Sequence, residues 1–147
     1  MVRSRLLGFT LLEMLVVLVI IGLIAGLVGP RLFSRVDTSK VQTTQAQIKL
    51  LRGALETMRL DIGVFPTTEQ GLRLLNAAPE DAAMKSRWKG PYLDADVPLD
   101  PWNNPYQYKS PAADGRGFYL WSLGADGKPG GEGNDADIGT VPGAQQQ

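Results

Sequence analysis

Apolar positions follow three regimes along the chain. From Phe9 to Val28 they are almost continuous, reading FTLLEMLVVLVIIGLIAGLV. About 20 residues at a rise of about 1.5 Å each let a helix cross the hydrocarbon core of a bilayer. From Thr38 to Ile62 the pattern becomes periodic. Val41, Ile48, Leu51, Leu55, Met58 and Ile62 follow at offsets of 7, 3, 4, 3 and 4. That spacing puts them on one face of an amphipathic helix, with Lys49, Arg52, Glu56 and Arg59 off it. Gly63 is placed to terminate that helix. Beyond it, apolar residues come in short groups between glycines and prolines. Thr67 with Gln70 forms a capping box that predicts a short helix carrying Leu72, Leu74 and Leu75. Tyr106-Gln107-Tyr108 and Phe118-Tyr119-Leu120-Trp121-Ser122 predict two strands, with Asp114-Gly115 turning the chain between them. The expected class is α+β: a long N-terminal helix, half membrane and half amphipathic, packed on a small antiparallel sheet.

Details inside the first regime sharpen the picture. Gly22, Gly26 and Gly29 are small enough to let neighbouring membrane helices approach closely. Pro30 removes an i→i−4 hydrogen bond and predicts a kink or local melting there. Glu13 is the single acid in the run. An acid at the centre of a membrane helix costs roughly 2.5–3.5 kcal/mol on insertion scales and calls for a partner. Its place near the start leaves a second reading open, in which it reaches the headgroups. Ahead of the run lies a leader, residues 1–8, carrying Arg3 and Arg5. These arginines place the N-terminus in the cytoplasm by the positive-inside rule. A secretory signal peptide has a shorter apolar centre followed by a small-residue cleavage site. Here the run is longer and the small residue, Gly8, precedes it. A cut between Gly8 and Phe9 would remove the leader and keep the helix.

Composition excludes more than it specifies. The chain has 147 residues, which suits one globular domain plus the anchor. Formal net charge is +0, so no broad attraction to nucleic acid is expected. There is no cysteine, hence no disulfide and no thiolate metal site. There is no histidine, which removes the usual general base and the usual zinc ligand. Seventeen glycines and ten prolines indicate a loop-rich C-terminal part. The loop 123–139, LGADGKPGGEGNDADIG, holds Asp126, Glu132, Asp135 and Asp137 against Lys128, a net of 1 − 4 = −3. By composition alone it is either a disordered acidic loop or a set of hard oxygen donors for calcium. Its spacing is not that of an EF-hand. Gly90-Pro91 and Asp100-Pro101 start turns, and Asn103-Asn104 tolerates the left-handed conformation. The aromatic residues around these turns are expected to fill a core rather than bind carbohydrate.

The string Gly8-Phe9-Thr10-Leu11-Leu12-Glu13 resembles the class III signal of type IV pilins and type II secretion pseudopilins. Three further strings occur in the order found in major pseudopilins of type II secretion: FPTTEQGL at 65–72, WKGPYL at 88–93 and DPWNNPYQY at 100–108. The resemblance covers nearly the whole chain. It implies a type IV pilin-like fold with a calcium-binding C-terminal loop. It also implies cleavage after Gly8 by a prepilin peptidase, N-methylation of Phe9, and a role for Glu13 in assembly. For calcium it implies the Leu123 carbonyl and the side chains of Asp126, Asp135 and Asp137, with Asn134 able to replace one of them. Val141 departs from the aromatic residue that often closes this loop in the family. The implied organisation is a leader (1–8), a filament-core helix (9–29) and a periplasmic head (30–147) with its helix at 38–62.

The implied function is that of a structural subunit with no active site, polymerising with itself into a periplasmic filament that helps drive folded proteins across the outer membrane. Implied partners are minor pseudopilins, the prepilin peptidase, the inner-membrane assembly platform and inner-membrane lipid. A type IV major pilin for adhesion, motility or DNA uptake shares the first segment, but commonly carries a C-terminal disulfide that this chain cannot form. A membrane-anchored hydrolase using Asp135 and Asp137 is the reading from another class, and residues two apart in a glycine-rich loop make a poor acid–base pair.

Overall fold

A computed structural model describes residues 8–143, with the side chains of residues 30–35 outside the description. Helix α1 runs over Leu11–Ile62, 52 residues. The chain divides into two compact units after Thr38.

In the first unit, Leu11–Gly29 is a 19-residue stretch long and apolar enough to cross a membrane, and its side chains are uncovered. α1 continues as helix through Pro30, so the expected local melting does not occur. One missing N–H removes a single rung, and a helix propagating from both sides tolerates that loss.

The second unit, from Ser39 onward, holds the core. Ile48, Leu51, Leu55, Met58 and Ile62 are all buried, which is the periodic stripe expected from the sequence; Val41 is half-buried. Each fully buried aliphatic side chain is worth about 1.5–3 kcal/mol. Gly63 ends α1 at φ 95°, its N–H bonding back to the Arg59 carbonyl at 2.7 Å. The capping box forms as expected: the Thr67 N–H donates to Gln70 Oε1 at 2.9 Å and the Gln70 N–H to Thr67 Oγ1 at 3.3 Å. It leads into a 3-10 turn, Gly71–Leu75, rather than an α-helix. Leu72, Leu74 and Leu75 are buried there. A further short helix, α2 (Ala82–Arg87), was not anticipated; Asp81 opens it by accepting the Met84 N–H at 2.8 Å.

The sheet has order β1-β2-β3, with β1 at Gln107–Lys109, β2 at Tyr119–Ser122 and β3 at Ile138–Thr140, antiparallel throughout. Tyr108 faces Leu120, and Leu120 in turn faces Thr140. β3 takes the last residues of what reads as loop in the sequence. Gly139 makes this possible: at φ 123° a Cβ there would stand 2.4 Å from the Leu120 carbonyl oxygen. Tyr106 and Phe118 fill the core as expected, with Phe65, Trp88, Tyr92 and Tyr108 packed against it, while Trp102 and Trp121 are half-buried. Phe118 is fully buried, meets Phe65 edge-on at 4.8 Å, and carries the Arg52 guanidinium 5.0 Å from its ring. Arg52 also donates to Thr140 Oγ1 at 3.0 Å, which joins β3 to α1.

Candidate functional site

At the N-terminal end, Phe9 is 76% exposed, and a Cβ added at Gly8 would meet nothing within 4 Å. Packing therefore gives no reason for glycine at position 8. Thr10 and Glu13 cap the start of α1 reciprocally. The Glu13 N–H donates to Thr10 Oγ1 at 3.2 Å, and the Thr10 N–H to Glu13 Oε2 at 3.5 Å. Threonine followed three residues later by glutamate is the capping-box signature, present in the sequence but overlooked beside the apolar run. The carboxylate thus sits at the positive end of the helix dipole, hydrogen-bonded to the residue that follows Phe9. Arg3 and Arg5 lie outside the described residues.

In the tail loop, two glycines bring distant backbone together. A Cβ at Gly124 would lie 2.8 Å from the carbonyl oxygens of Asn134 and Ala136, and one at Gly131 would lie 2.4 Å from that of Asp135. The Ala125 N–H bonds the Asn134 carbonyl at 2.8 Å. The turn after Leu123 is therefore folded onto Asn134 and Asp135. Asp137 closes the other side: its N–H bonds the Gly130 carbonyl at 3.2 Å, and its Oδ2 accepts the Gly130 N–H at 3.0 Å. Its second oxygen, Oδ1, is buried without a hydrogen-bond partner. Asp126 accepts the Lys128 N–H within its own turn at 3.0 Å. Among the described residues no three carboxylates gather closely enough to form a metal cluster by themselves. Asp126, Asp135 and Asp137 are held in one loop but not converged.

A support for this loop was missed in the sequence. Asp100 is 2% exposed. Its Oδ1 accepts the N–H groups of Trp102 at 3.0 Å and Asn104 at 2.8 Å, and its Oδ2 accepts the Ser122 hydroxyl at 2.5 Å. Ser122 Oγ accepts the Gly124 N–H at 3.1 Å, and Asn104 Nδ2 donates to the Gly124 carbonyl at 2.8 Å. Asn103 adopts φ 67°, the left-handed turn expected of it. The Asp-Pro-x-Asn-Asn turn thus grips the backbone where the tail loop leaves β2. The Asp-Pro pair signals a turn, but nothing local marks Asp100 as buried.

Burial raises the pKa values of two core tyrosines. Tyr106 is pushed up to about 12, first by burial and then by the nearby Asp100 charge, and burial pushes Tyr108 up to about 12. Both remain hydrogen-bond donors at neutral pH: Tyr106 to Gln47 Oε1, and Tyr108 to the Pro66 carbonyl at 2.8 Å.

Two family descriptions match the chain: "Type II secretion system (T2SS), protein G" over residues 31–141, and "Prokaryotic N-terminal methylation motif" over residues 3–29. The chain belongs to the type II secretion system protein G family. Similar relatives bear the name type II secretion system core protein G. That of Pseudomonas aeruginosa is 47% identical over 140 residues, covering 95% of this chain and 97% of the relative. That of Vibrio cholerae is 43% identical over 132 residues, covering 90% and 89%. Among solved structures, the major pseudopilin from the type 2 secretion system of enterohaemorrhagic Escherichia coli aligns with a TM-score of 0.61 at 32% identity, covering 75% of this chain and 93% of that one. Membership in this family accounts for the four sequence strings together and does not favour the type IV pilin alternative.

Proposed function

We propose that this chain is the major structural subunit of a type II secretion pseudopilus. A prepilin peptidase removes the leader after Gly8, and Phe9 is methylated. The helix from Leu11 to Gly29 holds the subunit in the bacterial inner membrane, N-terminus cytoplasmic and head periplasmic. Subunits then leave the bilayer through an assembly platform and polymerise through this helix, together with minor pseudopilins. The growing filament helps drive folded proteins across the outer membrane. The role is structural rather than catalytic.

The observation that carries this reading is the uncovered helix Leu11–Gly29 with a single acid capped at its first turn. A desolvated carboxylate needs a counter-charge, and cleavage creates an amine at Phe9 whose ordinary pKa is about 7.7–8.0. Glu13 held at the helix start bonds the residue after Phe9, and its carboxylate is the acid nearest in sequence for that amine or a neighbour's. Glu13→Ala should insert and be cleaved normally yet yield few filaments when sheared membranes are examined. Filament yield equal to wild type overturns the assignment.

Calcium in the tail loop is part of the proposal. The donors are hard oxygens: the Leu123 carbonyl, Asp126, Asp135 and Asp137, with Asn134 as a substitute. The fit rests on the buried, unpartnered Asp137 Oδ1 and on the close approach of Gly124 to the Asn134–Ala136 backbone. A loop in which carbonyls complete the shell does not require three converged carboxylates. The cation would offset most of the loop's net charge of −3 and tie it to the end of β2.

A further inference from the structure

A backbone carbonyl serves a cation best where its peptide plane is already held, and the groups that orient a metal's ligands matter nearly as much as the ligands. The peptide joining Leu123 to Gly124 lies just past the last residue of β2, where the strand ladder no longer holds it. Its N–H donates to Ser122 Oγ at 3.1 Å. Among the described residues, no hydrogen bond outside the strands ends on its other pole, the Leu123 carbonyl. This peptide is trans, so its N–H and C=O point in opposite directions. Anchoring the N–H on Ser122 therefore turns the Leu123 carbonyl away from that hydroxyl, with its lone pairs unengaged.

The Ser122 hydroxyl has one proton to give, and where it goes decides what the oxygen can accept. Asp100 Oδ2 takes that proton at 2.5 Å, so Ser122 Oγ faces Gly124 as an acceptor. The same carboxylate reaches Gly124 by a second arm. Asp100 Oδ1 accepts the Asn104 N–H at 2.8 Å, and Asn104 Nδ2 donates to the Gly124 carbonyl at 2.8 Å. The next N–H, that of Ala125, is held by the Asn134 carbonyl at 2.8 Å. The peptide planes on both sides of Gly124 are thus fixed. Asp100 is 2% exposed and Ser122 0%, so water does not compete for these bonds.

We propose that Asp100 and Ser122 are positioning residues for the cation of the tail loop: acting through the Gly124 N–H, they fix the Leu123 carbonyl in advance and so set the loop's calcium affinity. The inference rests on the calcium reading above. Were this plane free to turn, binding would have to order it, and affinity would fall by the cost of that ordering.

The test uses the full chain in detergent, stripped with chelator. The probe is terbium, whose luminescence is sensitised by nearby tryptophan and lost when calcium displaces it. Ser122→Ala removes the acceptor of the Gly124 N–H. Asp100→Asn keeps both bonds at Oδ1, while its amide nitrogen cannot accept the Ser122 hydroxyl. Each should weaken terbium and calcium binding about tenfold or more, as loss of an outer partner of a metal ligand does. Leu74→Ala lowers stability from a buried position outside these bonds and should leave the affinity unchanged. A role confined to stability would lower the melting temperature of all three variants in chelator and move the affinity of none. Wild-type affinity in both Ser122→Ala and Asp100→Asn overturns the role of these residues and leaves the calcium reading standing. A wild type without saturable, calcium-displaced terbium binding overturns that reading, and this inference with it. Should the variants not fold, the wild type decides alone. Its Gly124 amide should exchange slowly with solvent already in chelator, and exchange at the rate of an open chain until calcium is added overturns the preformed plane.

Discussion

Removing the Asp100 carboxylate should unfasten the head at the point where the tail loop begins. In Asp100→Ala, the N–H groups of Trp102 and Asn104 and the Ser122 hydroxyl lose their acceptor at a site 2% exposed. Hydrogen bonds to a charged group contribute about 1.5–3 kcal/mol each, and buried donors left unmatched cost about 1–3 kcal/mol each. The three share one acceptor and do not add fully, and the desolvation of the carboxylate is recovered. A net loss of about 3–5 kcal/mol follows, the range seen when one member of a buried charged network is deleted. A domain of this size has about 5–15 kcal/mol in all. At about 4–8 °C per kcal/mol, the melting temperature should fall by at least 10 °C. Ser122→Ala removes one of the three bonds and the acceptor of the Gly124 N–H, and should cost less, about 1.5–3 kcal/mol. The assay is thermal unfolding of the full chain in detergent, followed by the near-ultraviolet signal of Trp88, Trp102 and Trp121. An Asp100→Ala protein that melts within about 2 °C of wild type would refute the assignment of Asp100 as the anchor.

Chelation of calcium should lower the melting temperature of the same preparation, and calcium should restore it better than magnesium, whose site must be smaller and octahedral; sites of the extracellular kind, with Kd of about 10⁻⁴–10⁻³ M, give a gain of about 1 kcal/mol or less at millimolar calcium. Asp137→Ala should abolish the response, and overlapping curves with and without calcium would remove the site. Gly131→Ala drives a Cβ to 2.4 Å from the Asp135 carbonyl at φ 85°, so the loop should open at a cost of about 1–3 kcal/mol, visible as faster amide exchange at 124–137. Tyr106 and Tyr108 hold their protons more tightly folded than unfolded, so their contribution to stability should be constant below about pH 10 and be lost as pH rises from there toward 12, where the unfolded phenols ionise first. Tyr106→Phe and Tyr108→Phe should each reduce that slope in alkaline denaturation; an unchanged slope in both variants would rule the cause out.

Local chemistry was enough to specify much of this molecule. The apolar run, the periodic stripe from Ile48 to Ile62, the cap at Gly63 and the Thr67–Gln70 box all depend on residues a few positions apart, where period and capping act directly. The same holds for the left-handed Asn103 and for the signal around Gly8 and Glu13. What depended on long-range packing was decided only in three dimensions. β3 exists because Gly139 lets the chain press against the Leu120 carbonyl, a contact made across 19 residues that no local pattern announces. Asp100 is one acid among many until the fold buries it under Ser122. Pro30 argued for a kink or local melting, and the helix carries on through it without melting, around one missing hydrogen bond. The tail-loop acids share a composition that suits a cation; their separation in space, and the buried oxygen of Asp137, come from how Gly124 and Gly131 fold the backbone onto itself. Residue type and short spacing determined the helix, its anchor and the chemistry of its ends. Close approach between distant segments, which depends on the space left by every other side chain, determined the third strand and the frame of the loop.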